Sequence, residues 1–448
     1  MLQEHARRRE RNADKRLAEL RRRAAVTPLR ITDALILRQT IIVGATGSGK
    51  TNHALYLVAR SDPRSCLIID AKQEYRKLKK ILRREVRVIA VGEEPRLRYN
   101  PLIPLEGLDA AFWDRAFVDV FIRSYGLSEP SRRILLDSLE ELREANGRPT
   151  LRELEKAVAR FQPGSSKEQA SRRSVESRLH NINGGPVGTS LNADTPLDIK
   201  ALEGTITIYE IGRVDSLRDQ RFLAELLLAQ LWQHDRFSFE EEDEDKLKRL
   251  IVIEEAHRYL SEERPPSERG DRTLLELAIA EARRYGWGFL IIDQMPTLLS
   301  RFVWDNAGTV MMHRLANMDS YKVVRNAIGG DLFEEDPMEE HDPMALQLPE
   351  DIALFKRYVD PEVGGSAVGI TRVPRVSPRN HDSDEGGPDT DEPVECKSGG
   401  RPDGFRQNKV AEPGPLGPKI TVMEQVHCRF GARFAVAKYG VPFLSPYL

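Results

Sequence analysis

The chain has 448 residues, of which 40% are hydrophobic and 31% charged, and its formal net charge is −2. This length suffices for one large α/β core or two domains, and the near-neutral charge excludes binding of nucleic acid through the overall field, so such contacts need locally clustered basic groups. The three cysteines lack framework spacing, which argues against a disulfide scaffold. No apolar run reaches the roughly 18 residues of a membrane-spanning helix, and no apolar segment resembles a secretory leader. These features predict a cytoplasmic protein.

Residues 1–30 are predicted to form a basic amino-terminal helix. They carry many arginines and lysines, while Leu17, Leu20 and Ala24 are spaced as on one helix face. Such a helix could contact nucleic acid or an acidic partner, but a solvated charged face is the commoner outcome for a terminal helix. We therefore expect a solvated helix here.

Residues 44–51 form a glycine-rich loop that fits the phosphate-binding pattern G-x-x-x-x-G-K-[ST]. A strand pattern over 40–43 precedes the loop and a helical pattern over 52–60 follows it, so the amino terminus of that helix would face a bound anion. In this motif the lysine reaches the β- and γ-phosphates of a nucleotide and the last hydroxyl faces Mg²⁺. The predicted nucleotide-binding residues are Gly44, Ala45, Thr46, Gly47, Ser48, Gly49, Lys50, Thr51 and Asn52.

Short apolar segments alternate with helical patterns along most of the chain. Segments of this kind are typical of strands buried on both faces of a parallel sheet, and their alternation with helices predicts an α/β fold. The predicted strands are 40–43, 66–70, 86–91, 205–211, 250–253, 288–292 and 309–312. Helices are predicted at 218–234 and 273–285 between the later strands.

Residues 106–185 contain no clear strand pattern and are predicted to form a helical insertion on the sheet. Asparagine, glycine and proline at 181–186 predict a turn that closes the insertion. The predicted helices are 108–125, 130–144, 151–161 and 166–180.

The composition changes after residue 372. Residues 373–418 are rich in Pro, Gly, Asp, Glu and Ser and have few apolar groups to bury, which predicts a disordered linker or tail. Residues 419–448 form a more apolar carboxyl-terminal segment, which could dock on the core or on a partner.

An acidic pair follows the predicted strand 250–253. Glu254 and Glu255 emerge where a doubly wound sheet presents its ligands, and adjacent strand residues point in opposite directions. A P-loop enzyme needs acids here to hold Mg²⁺ and to align water for attack on the γ-phosphate. We therefore expect Glu254 in the Mg²⁺ shell with Thr51, and Glu255 to polarise the water. The simpler interpretation, a strand that ends in two solvated glutamates, is disfavoured beside a P-loop.

Several spaced motifs occur in order along the chain: the P-loop, Asp70 with Glu74 and Tyr75, and residues 98–102, 253–260, 281–286 and 292–296. Together they resemble the motifs of the HerA/FtsK superfamily of ring-forming DNA-pumping ATPases, with the HerA branch the closer match. The resemblance runs from about Arg38 to about Arg372. It implies a RecA-like P-loop ATPase domain over 31–372, with a mainly parallel sheet covered by helices on both faces. It also implies a hexameric ring, the use of ATP and Mg²⁺, and translocation on double-stranded DNA.

The resemblance assigns roles to single residues. It implies that Lys50 and Thr51 bind phosphate and Mg²⁺, that Glu255 is the catalytic glutamate and that Gln294 senses the γ-phosphate. Arg38, just before the P-loop strand, matches a functional arginine of the HerA family. The candidates for an arginine finger that reaches the nucleotide of a neighbouring subunit are Arg283 and Arg284, with Arg314 as a third candidate.

Two departures from the family pattern bear on function. Glu254 stands where the superfamily has aspartate, so Mg²⁺ could be held through water. About forty residues precede the P-loop and their pattern is helical, so we expect the amino-terminal β-barrel of HerA proteins to be missing. Its absence puts a nuclease partner in doubt and favours a plasmid, viral or conjugative relative.

Three functions therefore remain open. The first is a motor that pulls double-stranded DNA through a ring. The second is a conjugation or secretion ATPase that energises DNA or protein transfer with a membrane partner, or a viral genome-packaging ATPase. The third is a scaffold gated by nucleotide, in which Glu255→Gln would preserve function, whereas a motor would lose it.

Overall fold

A computed structural model describes residues 22, 33–61, 63–91, 97–145, 147–238, 246–261, 273–328, 348, 350–358, 366–374 and 376, and in addition 424–427 and 433–436. The predicted basic helix at 1–30, apart from residue 22, lies outside the described residues, as does most of the predicted linker at 373–418. In the part of the chain that the structure describes, no helix combines the length and apolar composition needed to cross a membrane.

Nine strands among these residues form one mixed sheet with the order β3-β4-β2-β5-β6-β1-β7-β8-β9. The strands from β3 to β7 along this order are all parallel, whereas β7, β8 and β9 pair antiparallel. The strands are β1 (Thr40–Val43), β2 (Ser65–Asp70), β3 (Val86–Ala90), β4 (Ile206–Glu210), β5 (Arg249–Glu254), β6 (Trp287–Asp293), β7 (Thr309–Met312), β8 (Ile352–Tyr358) and β9 (Ser366–Arg372).

The central strands are buried on both faces, which explains their nearly continuous apolar sequence. Side chains of alternate residues enter two separate hydrophobic clusters: Ile41 and Ile251 belong to one, and Ile42 and Val252 to the other. Each fully buried aliphatic side chain of this size contributes about 1.5–3 kcal/mol by leaving water. The predicted α/β fold, a mainly parallel sheet with both faces covered, is confirmed.

Helices cover both faces of the sheet. The helices are α1 (Asp33–Ile36), α2 (Lys50–Arg60), α3 (Leu78–Ile81), α4 (Ala110–Tyr125), α5 (Glu129–Ala145), α6 (Leu151–Arg160), α7 (Ser166–Gly184), α8 (Pro186–Leu191), α9 (Leu217–Phe237), α10 (Leu274–Glu281), α11 (Arg301–Asp305) and α12 (Met318–Ile328). Side-chain caps fix several of their starts: Thr150 and Thr273 each form a capping box with the glutamate three residues later.

Helices α4 to α8 fall within or just beyond the predicted insertion. Helix α4 packs on α9 through Phe117, Phe121 and Phe222, with the rings of Phe121 and Phe222 5.5 Å apart. The Arg143 guanidinium pairs with the Asp114 carboxylate at 2.5 Å and ties α5 to α4. The insertion is therefore anchored to the sheet through α9.

Three details differ from the sequence expectations. The turn predicted at 181–186 is confined to Gly185: α7 continues to Gly184, because Val175, Leu179 and Ile182 bury one helical face, and α8 begins at Pro186. The helix predicted at 273–285 ends at Glu281 and continues as a 3₁₀ turn, Ala282–Tyr285. Strands β8 and β9 were not predicted, since apolar runs without an intervening helix are ambiguous in sequence.

A separate two-stranded antiparallel hairpin lies in the predicted carboxyl-terminal segment. It consists of β10 (Glu424–His427) and β11 (Arg433–Val436), and Val426 lies opposite Phe434.

Candidate active site

The candidate site lies at the carboxyl edge of the parallel strands. Strands β2, β5, β6 and β1 are neighbours in that order, so their carboxyl ends meet at one edge. Val43, the last residue of β1, lies opposite Asp293, the last of β6, and Glu254 lies opposite Ile292. The P-loop and the acidic pair are thereby brought together from distant parts of the sequence.

The P-loop is held against the ends of its two flanking strands. The Gly44 N–H donates to the Asp293 carbonyl at 3.2 Å, and the Ala45 N–H donates to the Arg314 carbonyl at 2.6 Å. Gly49 has a φ of +94°, and a Cβ there would lie 2.2 Å from the Glu350 carbonyl oxygen. A residue with a side chain would meet both backbone strain and a clash at this position.

A buried pair of histidines packs against the P-loop. Nδ1 of His53 on α2 lies 2.9 Å from Nε2 of His313, which follows β7. Burial lowers the pKa of both rings, that of His313 to about 3, so the pair is neutral at physiological pH. A Cβ at Gly44 would approach Cβ of His313 to 2.7 Å, which shows how closely the loop packs on this pair.

Lys50 begins α2 and its side chain is buried. Its ammonium donates to the Ala45 carbonyl at 2.7 Å. Burial lowers its pKa to about 8, while the carboxylates of Glu254, Glu255 and Asp293 act in the opposite direction. The loop glycines, this ammonium and the buried Ser48 hydroxyl, which lacks a hydrogen-bond partner, form a donor set that fits phosphate oxygens.

The residues expected to hold Mg²⁺ lie beside the loop. Glu254 ends β5, is 1% exposed, and accepts a hydrogen bond from the Tyr75 hydroxyl at 2.9 Å. Burial raises its pKa to about 7. The Thr51 hydroxyl donates to Glu74 at 2.6 Å. Thr51, Glu254 and Glu74 thus supply oxygen atoms of the type that Mg²⁺ prefers.

Glu255 leaves the strand in a left-handed conformation, with a φ of +53°. Its carboxylate pairs with the Lys72 ammonium and accepts a hydrogen bond from the Gln294 amide. Gln294 in turn accepts from the Thr46 hydroxyl at 2.7 Å. Gln294 therefore connects the P-loop with Glu255, and the two glutamates of the pair have different partners.

Several site residues were not assigned a role from the sequence. Asp70 accepts three backbone N–H bonds, from Lys72 at 2.9 Å, Gln73 at 2.7 Å and Tyr75 at 3.1 Å, and so shapes the loop after β2. Asp293 lies 2.9 Å from Nδ1 of His257, and this hydrogen bond raises the pKa of the imidazole. The signal that could have identified them is their position, within a few residues of a buried strand's carboxyl end.

Of the predicted functional arginines, only Arg314 lies at the carboxyl edge of the sheet, beside the P-loop. Arg38 precedes β1, and Arg283 and Arg284 precede β6, so all three lie at the amino edge of the sheet. Strand β6 has seven residues, which places the arginine pair roughly 20 Å from Asp293. Arg314 lies next to the P-loop through its backbone carbonyl. Within one chain, Arg283 and Arg284 are thus far from the P-loop, and their predicted role toward a neighbour stays a prediction.

Asn52 lies in the first turn of α2, where the sequence placed it among the nucleotide-binding residues. Its side-chain amide donates to the Pro374 carbonyl at 2.9 Å and accepts from the Val376 N–H at 2.9 Å. The chain beyond β9 therefore packs against the start of α2.

Comparisons with known proteins agree with this architecture. Residues 17–231 match the family described as Helicase HerA, central domain. VirB4 of Thermoanaerobacter pseudethanolicus is 16% identical with a TM-score of 0.54, covering 75% of this chain and 89% of that one. The plasmid coupling protein TrwB in complex with ADP and Mg²⁺ is 14% identical with a TM-score of 0.57, covering 78% and 88%. These two likenesses show a shared fold. Among curated proteins, none matches the chain.

Proposed function

Because residues 17–231 match the HerA central domain, we propose that the chain is an ATP-hydrolysing ring motor of the HerA/FtsK type that translocates double-stranded DNA. The main support for this proposal is that the P-loop, Glu254, Glu255 and Gln294 lie together at one edge of the sheet. The match to the HerA central domain supports DNA as the substrate.

Each residue of the site has a separate role in the proposed ATP hydrolysis. The loop N–H groups and Lys50 would bind the phosphates, and Thr51 and Glu254, with Glu74 nearby, would hold Mg²⁺. Bound Mg²⁺ neutralises charge on the phosphate oxygens. Glu255 orients the attacking water and accepts its proton, and Gln294 fixes the position of Glu255 relative to the P-loop.

The ring completes the site. Arg283 and Arg284 are exposed at the amino edge of the sheet, so in a ring they can reach the nucleotide of the next subunit. An arginine supplied in this way contributes about 10³–10⁵ in rate in other phosphoryl-transfer enzymes. We propose that one of them is the finger and that the ring is hexameric.

The test is ATP turnover measured with duplex DNA, with single-stranded DNA and without DNA, across a salt series. Duplex DNA should stimulate turnover at low salt, and the stimulation should fall steeply with salt because phosphate contacts release counterions. Turnover that duplex DNA does not stimulate even at low salt would remove the main support for a DNA motor.

A conjugation or secretion ATPase is the second candidate. It is favoured by the likeness to VirB4 and to the conjugative coupling protein TrwB, which extends over 89% and 91% of those chains. Such an enzyme would depend on a membrane partner and need not bind duplex DNA tightly. Co-fractionation with membranes together with DNA-independent turnover would favour this function over the motor. A viral genome-packaging ATPase would behave as the DNA motor does in these assays.

A further inference from the structure

Lys72 lies in the candidate site and has no role in the mechanism so far. It follows β2 by two residues, and its backbone N–H is held by Asp70 at 2.9 Å, so its position on the loop is fixed. Its ammonium pairs with Oε1 of Glu255, the oxygen that also accepts from Gln294. The Lys72 side chain is 32% exposed and that of Glu255 is 7% exposed. The ammonium is therefore the accessible partner of a nearly buried carboxylate.

A continuous chain of polar contacts links the P-loop to this ion pair. The Thr46 hydroxyl donates to Gln294, Gln294 donates to Glu255, and Glu255 pairs with Lys72. In this arrangement one oxygen of Glu255 holds two donors and is not available to a water molecule.

Lys72 also lies close to the phosphate-binding lysine. Its charge is one of the causes that lower the pKa of Lys50. Two ammonium groups at the same edge repel each other, and a polyanion between them would relieve that repulsion. Arg76, which follows in the 3₁₀ turn Tyr75–Lys77, makes two 2.6 Å hydrogen bonds to Glu210 and is therefore committed elsewhere.

We propose that Lys72 is a positioning residue that couples the γ-phosphate of ATP to Glu255: it restrains the carboxylate in the empty site and exchanges this ion pair for the γ-phosphate when ATP binds. The exchange frees Oε1 of Glu255 to bind the attacking water, while Gln294 keeps the carboxylate in place. ADP lacks the γ-phosphate and leaves the Lys72–Glu255 pair intact. This inference rests on the proposed ATP hydrolysis but not on DNA being the substrate.

The test compares equilibrium binding of a non-hydrolysable ATP analogue and of ADP, both with Mg²⁺, to the full chain. Lys72→Met should weaken binding of the ATP analogue about tenfold, because about one charge-assisted hydrogen bond is lost. The affinity for ADP should change by less than about twofold. Lys72→Arg should restore part of the loss. Lys79→Met removes an exposed charge on α3 and should change neither affinity.

A double-mutant cycle with Glu255→Gln gives an independent readout. Removing the carboxylate charge frees Lys72, so Glu255→Gln should tighten analogue binding several-fold in the presence of Lys72 and leave it unchanged in Lys72→Met. Equal weakening of the analogue and ADP by Lys72→Met, or an effect of Glu255→Gln that does not depend on Lys72, would overturn the inference. Failure of duplex DNA to stimulate turnover would instead overturn the motor and leave the role of Lys72 standing.

Discussion

Glu254→Gln should stabilise the nucleotide-free protein at high pH but not at low pH. Glu254 is 1% exposed, and burial raises its pKa from 4.5 to about 7. A carboxyl whose pKa is raised on folding stabilises the native state fully below the unfolded pKa, and this contribution is lost as the pH rises through the folded pKa. The wild type therefore loses stability between about pH 4.5 and 7, whereas the neutral amide does not.

The expected change in the free energy of unfolding follows from the shift in the pKa of Glu254. A rise from 4.5 to about 7, at about 1.4 kcal/mol per pH unit, corresponds to roughly 3 kcal/mol. At pH 5 the free energies of unfolding of the two proteins should differ by less than about 1 kcal/mol, and at pH 8 the variant should be more stable by about 3 kcal/mol. The amide oxygen keeps an acceptor for the Tyr75 hydroxyl, so that hydroxyl retains its partner.

The measurement is urea unfolding of both proteins at pH 5, 6, 7 and 8 with a chelator and without nucleotide. Glu144→Gln, at an exposed position of α5, is the matched control and should stay within about 0.5 kcal/mol of the wild type at every pH. A gap that stays constant with pH would show that Glu254 is ionised throughout, with its charge compensated by neighbouring lysines, and would refute the reasoning.

Three further predictions concern the P-loop and the ring. Gly49→Ala should abolish measurable nucleotide binding, because a Cβ at a φ of +94° would lie 2.2 Å from the Glu350 carbonyl oxygen; binding assays with ADP would show it. Glu255→Gln should lower kcat by about 10²–10⁴ while ATP still binds, as seen by single-turnover and binding measurements. Mixing Lys50→Ala subunits with Arg283→Ala subunits should restore part of the turnover if Arg283 acts on a neighbour.

Each of these three predictions has a control or a result that would contradict it. Gly184→Ala, at a position where a Cβ meets nothing within 4 Å, should leave nucleotide binding intact. Near-normal turnover by Glu255→Gln would show that another group accepts the proton. If mixed subunits recover nothing, the same mixing with Arg284→Ala separates a wrong choice of arginine from the absence of a shared site.

Much of the fold could be predicted because its signals are local. The predicted strand at 309–312 is β7 itself, and the strand predicted at 66–70 differs from β2 by one residue. Strands buried on both faces carry an apolar residue at almost every position, so a window of a few residues identifies them. The antiparallel strands β8 and β9 lack this continuous apolar sequence, because β8 contains Lys356 and Arg357 and β9 contains Thr371 and Arg372.

Part of the site could be predicted for the same reason. The P-loop is contiguous, and Glu254 and Glu255 come at the end of an apolar strand, so parallel strands alone predict both at the same edge of the sheet. The partner of each acid could not be predicted. Tyr75 and Lys72 lie on the loop after β2, and only the order of the strands places that loop beside β5.

The sequence alone therefore determined the α/β class, the phosphate-binding loop and the acidic pair, because each depends on residues adjacent in the chain. The tertiary structure decided which groups act on one another. Insertion of β5 and β6 between β2 and β1 brings Lys72 and Gln294 to the same oxygen of Glu255. The parallel direction of the strands also carries Arg283 and Arg284 to the opposite edge, away from the P-loop of their own chain. Strand order and direction arise from packing over the whole sheet, which no short window of sequence contains.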